Sequence, residues 1–316
     1  MAACSTTPSP QLPVSFGPSL AAAPGRMPAS QPDRGSSWED AAASSGPLLY
    51  LSDFRNYDVY IYTVPALKMV GKITGFFEPQ GECSDNNGNV WITNTGAQQI
   101  LEFRPGSNRP VAMLDDSTGY PVGCAVDLRN GDLAVTNLFD LYGPGGVLVF
   151  KNARGTPRPY LNLNQFYYYF AGYDAHGNLY TDGLTKDNAF TLSLLPSGAS
   201  KMSTITVRGA TLHFPGTIVR SGSSLVIGDQ ECGGKKTSCL YEAAISGRTA
   251  AVMKTIDLRG SCDVAQTALA NGRLFGGNYC PQGTSGADRW AFPAGGKPQA
   301  SVPGAHDPIG AAIVTR

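Results

Sequence analysis

The sequence predicts an all-β protein, a six-bladed β-propeller whose four-stranded antiparallel blades form a ring closed by the C-terminal strand. Three observations predict this fold: a recurring motif, a repeat length in the forties, and an abundance of turn-forming residues. The 316 residues include 38 Gly and 23 Pro, which suit many short strands and disfavour long helices. Repeats of this length are typical of propeller blades, whereas helical solenoids show apolar residues at a spacing of 3.6.

The motif is clearest in two segments, PQGECSDNNGNVWITN (79–94) and PVGCAVDLRNGDLAVTN (121–137). Each contains Pro-x-Gly, a short apolar stretch, an Asp, a turn with Gly, and an alternating strand that ends in Thr-Asn. Weaker copies begin at residues 170, 215 and 264. The polar residues that close the second strand recur at intervals of 41 to 49 residues: Asp53, Asn94, Asn137, Asp182, Asp229 and Asn278. Six closing residues predict six blades.

The first and last segments of the repeat region complete each other. LLYLSD (48–53) matches the second strand of a blade but has no innermost strand before it, and DPIGAAIV (307–314) has the Pro-x-Gly opening but no blade after it. We expect the C-terminal strand to lie innermost beside residues 48–53, which leaves no open sheet edge. The propeller then spans residues 47–316.

Residues 1–46 are predicted to form a disordered tether. This segment is rich in Pro, Ser and Ala and has almost no aliphatic periodicity, so it buries too little apolar surface to offset the entropy of ordering. Its start, Met-Ala-Ala-Cys4, resembles the end of a bacterial lipoprotein signal, although the charged and apolar parts of a signal peptide are missing. Two alternatives stay open: Cys4 is lipidated after a start codon further upstream, or it is an ordinary residue of the tail.

The other six cysteines lie inside the repeats and predict disulfides formed in an oxidising compartment. We expect Cys232 to pair with Cys239 across the loop ECGGKKTSC, and Cys262 with Cys280 within the last blade. Cys83 and Cys124 occupy near-equivalent positions of adjacent blades and are expected to face each other. The expected location is therefore extracytoplasmic, in the periplasm or at the cell surface, with a lipid anchor if Cys4 is modified. Buried free thiols in a cytosolic protein are the alternative.

Charge and hydropathy exclude two classes of partner. Lys and Arg together number 24, as do Asp and Glu, so nothing draws the chain as a whole to nucleic acid or to an anionic membrane surface. No apolar run approaches the roughly 18 residues that a transmembrane helix needs. Any membrane contact would come from a lipid on Cys4, and we expect a monomer.

The repeats resemble those of NHL-type six-bladed propellers, a family that borders the gluconolactonase-like and virginiamycin-lyase-like propellers. The resemblance covers residues 48–315 and implies the fold, but such propellers include enzymes and binding platforms alike. Gluconolactonase-like enzymes carry a metal-binding Glu in Glu-Gly-Pro, where this chain has Phe77-Glu78-Pro79. The lyase pattern needs a Glu-x-His pair, which none of the three histidines provides.

A candidate ligand site follows from the residues just before the innermost strands, because the repeat brings one such position from each blade to the same channel mouth. These six residues are Glu78, Tyr120, Tyr167, Phe214, Asp263 and Asp307, and His213 and His306 lie one position further out. Acids, histidines and aromatic rings together suit a cation or a sugar-like ligand. A solvated rim without a ligand is the alternative.

Other conspicuous residues are expected to be structural. Asp85, Asp127 and Asp174 precede Gly turns, where an Asp side chain binds local backbone N–H groups. The closing Asp and Asn residues are expected to bind neighbouring backbone, and Trp91 and Trp290 to fill the core between blades.

These observations favour a non-catalytic scaffold that binds a protein, a glycan or a small ligand on one face and requires no cofactor. A divalent-metal lactonase or lyase that uses Ca²⁺ or Zn²⁺ is the alternative, and an inert spacer at the cell surface is a third. No catalytic residue is assigned.

Overall fold

The computed structural model describes residues 36–40, 46–141 and 143–315. This part of the chain consists of 25 β-strands and short 3₁₀ turns at Thr95–Ala97, Lys151–Ala153 and Cys232–Gly234. Within it, no helix has the length and apolar character needed to cross a membrane.

The strands are numbered in chain order. They are β1 (Trp38–Glu39), β2 (Leu48–Asp53), β3 (Asp58–Thr63), β4 (Met69–Ile73), β5 (Pro79–Ser84), β6 (Val90–Asn94), β7 (Gln99–Phe103), β8 (Ala112–Asp115), β9 (Gly119–Asp127), β10 (Asp132–Asp140), β11 (Gly143–Phe150), β12 (Arg158–Tyr160), β13 (Tyr167–Tyr173), β14 (Leu179–Leu184), β15 (Phe190–Leu195), β16 (Ser203–Arg208), β17 (Pro215–Ser221), β18 (Ser224–Asp229), β19 (Cys239–Ser246), β20 (Thr249–Asp257), β21 (Thr267–Ala270), β22 (Arg273–Asn278), β23 (Gly286–Ala291), β24 (Gly295–Pro303) and β25 (Pro308–Val314).

The strands form five sheets built from four-stranded antiparallel meanders. Three sheets are single meanders, β5 to β8, β9 to β12, and β21 to β24. A fourth has the order β1-β4-β3-β2-β25, so the C-terminal strand lies beside β2 as expected, with Asp53 opposite Pro308. The fifth has eight strands, because the meanders β13 to β16 and β17 to β20 are joined at their outer strands.

The joined sheet differs from the six separate blades that the repeats predict. Residues Thr206–Arg208 of β16 pair in parallel with Thr249–Ala251 of β20. Residues 206–208 of β16 lie past the end of its pairing with β15, and they pair with the outer edge of β20, whose other edge pairs with β19. The repeat pattern carries no information about this contact, because it lies between outer strands.

In the five later meanders the first strand is the innermost one. In the first meander, β2 to β4, the innermost strand is the C-terminal strand β25. In ring order, β25 contacts β5, then β9, β13, β17 and β21 follow, and β21 contacts β25 again. The Gly of Pro-x-Gly is needed at these contacts. A Cβ on Gly81 would lie 2.5 Å from the carbonyl oxygen of Val122 in the next inner strand, closer than two such atoms approach.

Hydroxyl groups join neighbouring meanders at the same level. Thr95 Oγ1 donates to the carbonyl oxygen of Pro121 at 2.6 Å, and Thr136 Oγ1 donates to Tyr169 O at 2.6 Å. Thr217 Oγ1 donates to Thr267 O at 3.1 Å in the same way. Of these three residues, Thr136 belongs to the Thr-Asn ending of the motif, which therefore binds the neighbouring meander as well as its own.

The apolar core lies between adjacent sheets. Trp91 of β6 is buried against Leu133 and Phe150 of the next meander, and Trp290 of β23 is buried against Leu240 and other residues of the preceding one. Both Trp residues therefore fill inter-blade core, as predicted.

Three disulfides are present, and each pairs the two cysteines that the sequence indicates. Cys83–Cys124 joins the inner strands β5 and β9, Cys232–Cys239 closes a loop between β18 and β19, and Cys262–Cys280 lies within the last meander. Structural disulfides persist in oxidising compartments, so they indicate an extracytoplasmic location.

Part of the predicted tether is ordered. Trp38 and Glu39 form β1, which pairs with Lys72 and Gly71 at the outer edge of β4. The hydrophobic pattern of two residues is too short to predict a strand. Cys4, with its predicted lipidation, lies outside the described residues.

Candidate functional site

The inner strands define two ends of the central channel. We call the end where they begin the N-terminal mouth and the end where they finish the C-terminal mouth. The sequence predicts a ligand site at the N-terminal mouth.

Aromatic rings fill much of the N-terminal mouth. Tyr120, Tyr167 and Phe214 belong to one buried cluster that also contains Tyr169 and Ile309. The rings of Tyr169 and Phe214 meet edge to face at 5.4 Å. The repeat does bring these distant residues together, as expected, and at this level they pack as a hydrophobic plug.

Glu78 lies beside this plug. The hydroxyl of Tyr120 donates to Glu78 Oε2 at 2.9 Å, across two neighbouring meanders. Burial raises the pKa of Glu78, and the Tyr120 hydrogen bond opposes that shift. The pair links two predicted site residues.

Two further predicted carboxyls form a second group on the rim. Asp307 is 2% exposed and accepts a hydrogen bond from Arg55 Nε at 3.2 Å. Burial raises the pKa of Asp307 to about 6, against the lowering effect of Arg55. Burial, and next the negative charge of Asp307, raise the pKa of Asp263 to about 8. Asp263 and Asp307 are therefore electrostatic neighbours, as their places in the repeat predict.

His213 and His306 form hydrogen bonds at this mouth mainly through their backbone N–H groups. The backbone N–H of His213 donates to Asp229 at 3.1 Å, and that of His306 donates to Asp53. The His213 ring lies 3.6 Å from the Asp229 carboxylate, and His306 is exposed. Ligand binding at the N-terminal mouth stays a prediction.

The closing residues hold the segments that lead into the inner strands. Asp53, Asn94, Asp182, Asp229 and Asn278 each accept backbone N–H groups there, including those of Asp307, Phe77, Phe170, Phe214 and Cys262. The sixth, Asn137, forms a side-chain hydrogen bond to Asp116, which opposes the rise in the Asp116 pKa that burial causes. The turn residues Asp85, Asp127 and Asp174 accept N–H groups of their own turns. The turn residues and five of the six closing residues thus bind backbone as expected, whereas no backbone donor binds Asn137 Oδ1 within the described residues.

The C-terminal mouth opens into a cavity of about 450 Å³. Every inner strand contributes lining residues to this cavity, among them, in ring order, Glu82, Cys124, Gly172, Ile218, Thr267 and Ala311. Four charged residues lie nearer the rim: Asp127, Arg129, Asp174 and Arg220. Sequence reasoning did not select this end of the channel.

Glu82 is the most unusual group of the cavity. It is 1% exposed, and neither carboxyl oxygen has a hydrogen-bond partner of normal geometry among the described residues. Burial raises its pKa well above the ordinary range, and only the nearby backbone N–H of Ala312 opposes this. Its sequence signal is a carboxylate inside the apolar stretch that follows Pro-x-Gly.

The backbone around Glu82 is held by Gln266. The Gln266 amide accepts from the N–H of Glu82 at 2.9 Å and donates to its carbonyl oxygen at 2.7 Å. It also accepts from Ala311 N at 3.1 Å, so one side chain links three inner strands. The next residue, Thr267, is 1% exposed and its hydroxyl also has no partner within the described part of the chain.

Two further cavities adjoin the central one on the same face. One of about 640 Å³ shares Asp174, Ala175 and Arg220 with it, and another of about 420 Å³ shares Leu128 and Arg129. The C-terminal mouth is thus the middle of a longer depression with a mixed polar and apolar lining. Over the residues described, no group of three or more His, Cys, Asp or Glu side chains could hold a metal ion.

Comparisons with known proteins establish the fold but not a family. A chain in the crystal structure of a nidogen/laminin complex aligns with a TM-score of 0.65 at 13% identity, over 85% of this chain and 98% of that chain. A protein of unknown function from Bacteroides caccae aligns with a TM-score of 0.60 at 11% identity, over 85% and 99%. No protein-family model and no curated protein sequence matches the chain. The alignments fit a β-propeller.

Proposed function

We propose that this protein is an exported six-bladed β-propeller of the NHL type that binds a ligand in its C-terminal mouth without chemical turnover. The cyclic contacts of the inner strands support six blades, because the eight-stranded sheet contains two of them. The pairing of β25 with β2 supports closure of the ring by the C-terminal strand.

Export is supported by the three disulfides. On this proposal, residues 1–35 tether the propeller, and a lipid on Cys4 holds it at a bacterial membrane. Non-reducing peptide mapping together with mass analysis of the N-terminal peptide tests both points, since a diacylglyceryl group adds a large, defined mass to Cys4.

The observation that carries the binding proposal is the cavity to which all six inner strands contribute. Sites for small ligands are concave, largely preformed, and contain a few polar groups that fix orientation. The C-terminal mouth is such a cavity, lined by all six inner strands and by the charged residues Asp127, Arg129, Asp174 and Arg220. The N-terminal mouth instead contains the packed aromatic cluster.

A protein partner is one candidate for the ligand. The structural neighbour from the nidogen/laminin complex belongs to an assembly of two proteins. The three adjoining cavities give the C-terminal face a depression long enough for an extended partner segment as well as for a small molecule.

A thermal-shift screen against metals, sugars, amines and peptides tests the proposal, because a ligand of the folded state raises Tm. The informative variant is Ala175→Trp, which adds a large ring at an exposed position of the cavity rim. Lys186→Trp is the matched control, because Lys186 is also exposed but lies in the turn at the opposite end of β14.

We expect at least one compound to raise the Tm of the wild type and of Lys186→Trp, and to have a much smaller effect on Ala175→Trp. An equal shift in all three proteins would contradict binding at the C-terminal mouth. A near-stoichiometric metal in the purified protein, lost on Glu78→Gln or Asp307→Asn, would favour the metal-dependent enzyme instead.

A further inference from the structure

We propose that the cavity between the meanders β13 to β16 and β17 to β20 binds a small monocarboxylate with an aliphatic body, whose carboxylate pairs with Arg220. This cavity is the one of about 640 Å³ that adjoins the central one, and we call it the side cavity. It takes a ligand of its own, so the inference goes beyond the binding proposed for the C-terminal mouth.

The inner strand β17 departs from the repeat at its C-terminal end. In β9 the turn begins with Asp127, which pairs across the hairpin with Asp132. At the same position β17 has Ser221, which pairs with Ser224, and the residue before it is Arg220. The turn carboxylate is therefore replaced by a neutral residue beside a cation. Departures from a local rule are expected at functional sites.

The loss of the turn Asp leaves Arg220 without a counter-ion. Arg129 is paired with Asp127 of its own turn at 2.8 Å, whereas Arg220 is exposed and forms no ion pair with the described residues. Arg220 Nη1 donates to the carbonyl oxygen of Gly222 at 3.4 Å, longer than the usual distance of about 2.9–3.0 Å. Arg220 and Gly222 both line the side cavity, so this contact places the guanidinium at its edge. A guanidinium can bind a carboxylate through two parallel N–H donors.

Asp174 is the carboxylate of the side cavity, and its oxygens are already occupied. They accept from the backbone N–H groups of His176 and Asn178, from Asn178 Nδ2 and from the Tyr180 hydroxyl, at 2.8–3.2 Å. Burial raises the pKa of Asp174, but these hydrogen bonds outweigh burial, so the pKa is lowered overall and the group stays charged. This fixed negative charge disfavours a doubly charged ligand such as a phosphate and favours a monoanion.

Aliphatic side chains form much of the remaining wall. Leu194 of β15 and two residues of the next meander, Leu225 and Ile245, line the cavity and belong to one apolar cluster. Tyr180 also lines the cavity, but it is 2% exposed, so its ring is not available to stack on a ligand. An aliphatic chain would displace water from these side chains, which favours binding.

The joined sheet holds the two walls of the side cavity in place. Ile245 lies in the hairpin of β19 and β20, and a few residues further on Thr249–Ala251 of β20 pair with Thr206–Arg208 of β16. Among the meanders of the described chain, only these two are joined. A cavity whose walls are fixed before the ligand arrives loses less entropy on binding. The contact between outer strands thus has a role that the repeat does not require of it.

The test is calorimetric titration of the full-length protein with sodium hexanoate at pH 7.5 and constant ionic strength. We expect saturable binding at one site, and at least tenfold weaker binding of 1-hexanol, which lacks the charge, and of acetate, which lacks the chain. Arg220→Gln removes the cation and should weaken hexanoate binding at least tenfold. Arg109→Gln, the same change at an exposed position in the loop between β7 and β8, should leave the affinity unchanged.

Two isoleucines locate the ligand. Ile245 lines the side cavity and Ile313 of β25 lines the central cavity, and both are half-buried. Ile245→Gln should weaken hexanoate binding at least fivefold, and Ile313→Gln should not. The opposite result would overturn the side cavity as the site but leave the proposed function of the C-terminal mouth intact.

The charge variant decides the inference by itself. Arg220 is exposed, so Arg220→Gln does not depend on how well a half-buried position tolerates a polar residue. Equal affinity of hexanoate for the wild type and Arg220→Gln, or no saturable binding of hexanoate to the wild type, would overturn the inference. Neither result bears on whether a different compound binds in the central cavity.

Discussion

The Cys83–Cys124 disulfide should be the most stabilising of the three cross-links. It joins inner strands of neighbouring meanders and closes a loop of 41 residues, whereas Cys232–Cys239 closes a loop of 7. In the chain-entropy description, loops of these lengths correspond to about 4 kcal/mol and about 2 kcal/mol of stabilisation. Removing the first should therefore cost roughly twice as much free energy of unfolding as removing the second.

The perturbation is the double substitution Cys83→Ala with Cys124→Ala, compared with Cys232→Ala and Cys239→Ala. Alanine is chosen because Cys124 is 2% exposed and a serine hydroxyl there would be buried without a designed partner. Urea unfolding without reductant gives both free energies, followed by far-UV circular dichroism and by Trp fluorescence. A smaller loss for the Cys83/Cys124 variant than for the Cys232/Cys239 variant would refute the reasoning.

Three further changes test other parts of the account. Gly81→Ala puts a methyl group 2.5 Å from the carbonyl oxygen of Val122 and should cost about 1–3 kcal/mol in urea unfolding; an unchanged midpoint would contradict the close approach of the inner strands. Asp263 has a pKa of about 8 in the folded protein, above its unfolded value, so its contribution to stability is present below about pH 4 and is lost as pH rises towards 8. Asp263→Asn should flatten the fall of Tm over that window, and an unaltered pH profile would count against the buried carboxyl. Deleting residues 305–316 removes the innermost strand β25 and should abolish folding; a truncated protein with native circular dichroism would contradict closure by that strand.

Local sequence predicts much of the fold because each blade is specified by its own turn and strand chemistry. Pro-x-Gly, the turn Asp and the closing Asp or Asn act within one blade or on its nearest neighbour, so their roles can be inferred from the repeat. The disulfide pairs follow from the same spacing. Asp53 is an example: it binds the backbone of Asp307 at the other end of the chain, as a closed ring requires.

Features between outer strands were not predictable in this way. The pairing of β16 with β20 depends on how far β16 extends beyond its partner β15, which no motif encodes. Strand β1 depends on a free edge of β4, and its two residues have no periodicity of their own.

The sequence predicts a site at the N-terminal mouth, whereas the cavity of the proposed function lies at the C-terminal mouth. The repeat predicts that Glu78, Tyr120, Tyr167, Phe214, Asp263 and Asp307 lie at one level of the ring, and ligand binding there stays a prediction. The repeat does not reveal that the aromatic rings pack on one another there, since that depends on side-chain directions in three blades. Glu82 was missed because its burial depends on strands β21 and β25, which are remote in sequence.

A crystal structure of the protein soaked with a compound from the thermal-shift screen tests the central claim most directly. We predict density for the compound inside the cavity at the C-terminal mouth, bounded by the inner strands and beside the rim residues Asp174 and Ala175. Density at the N-terminal mouth beside Glu78 and Asp307, or only on an outer strand, with the central cavity holding solvent alone, would contradict the account.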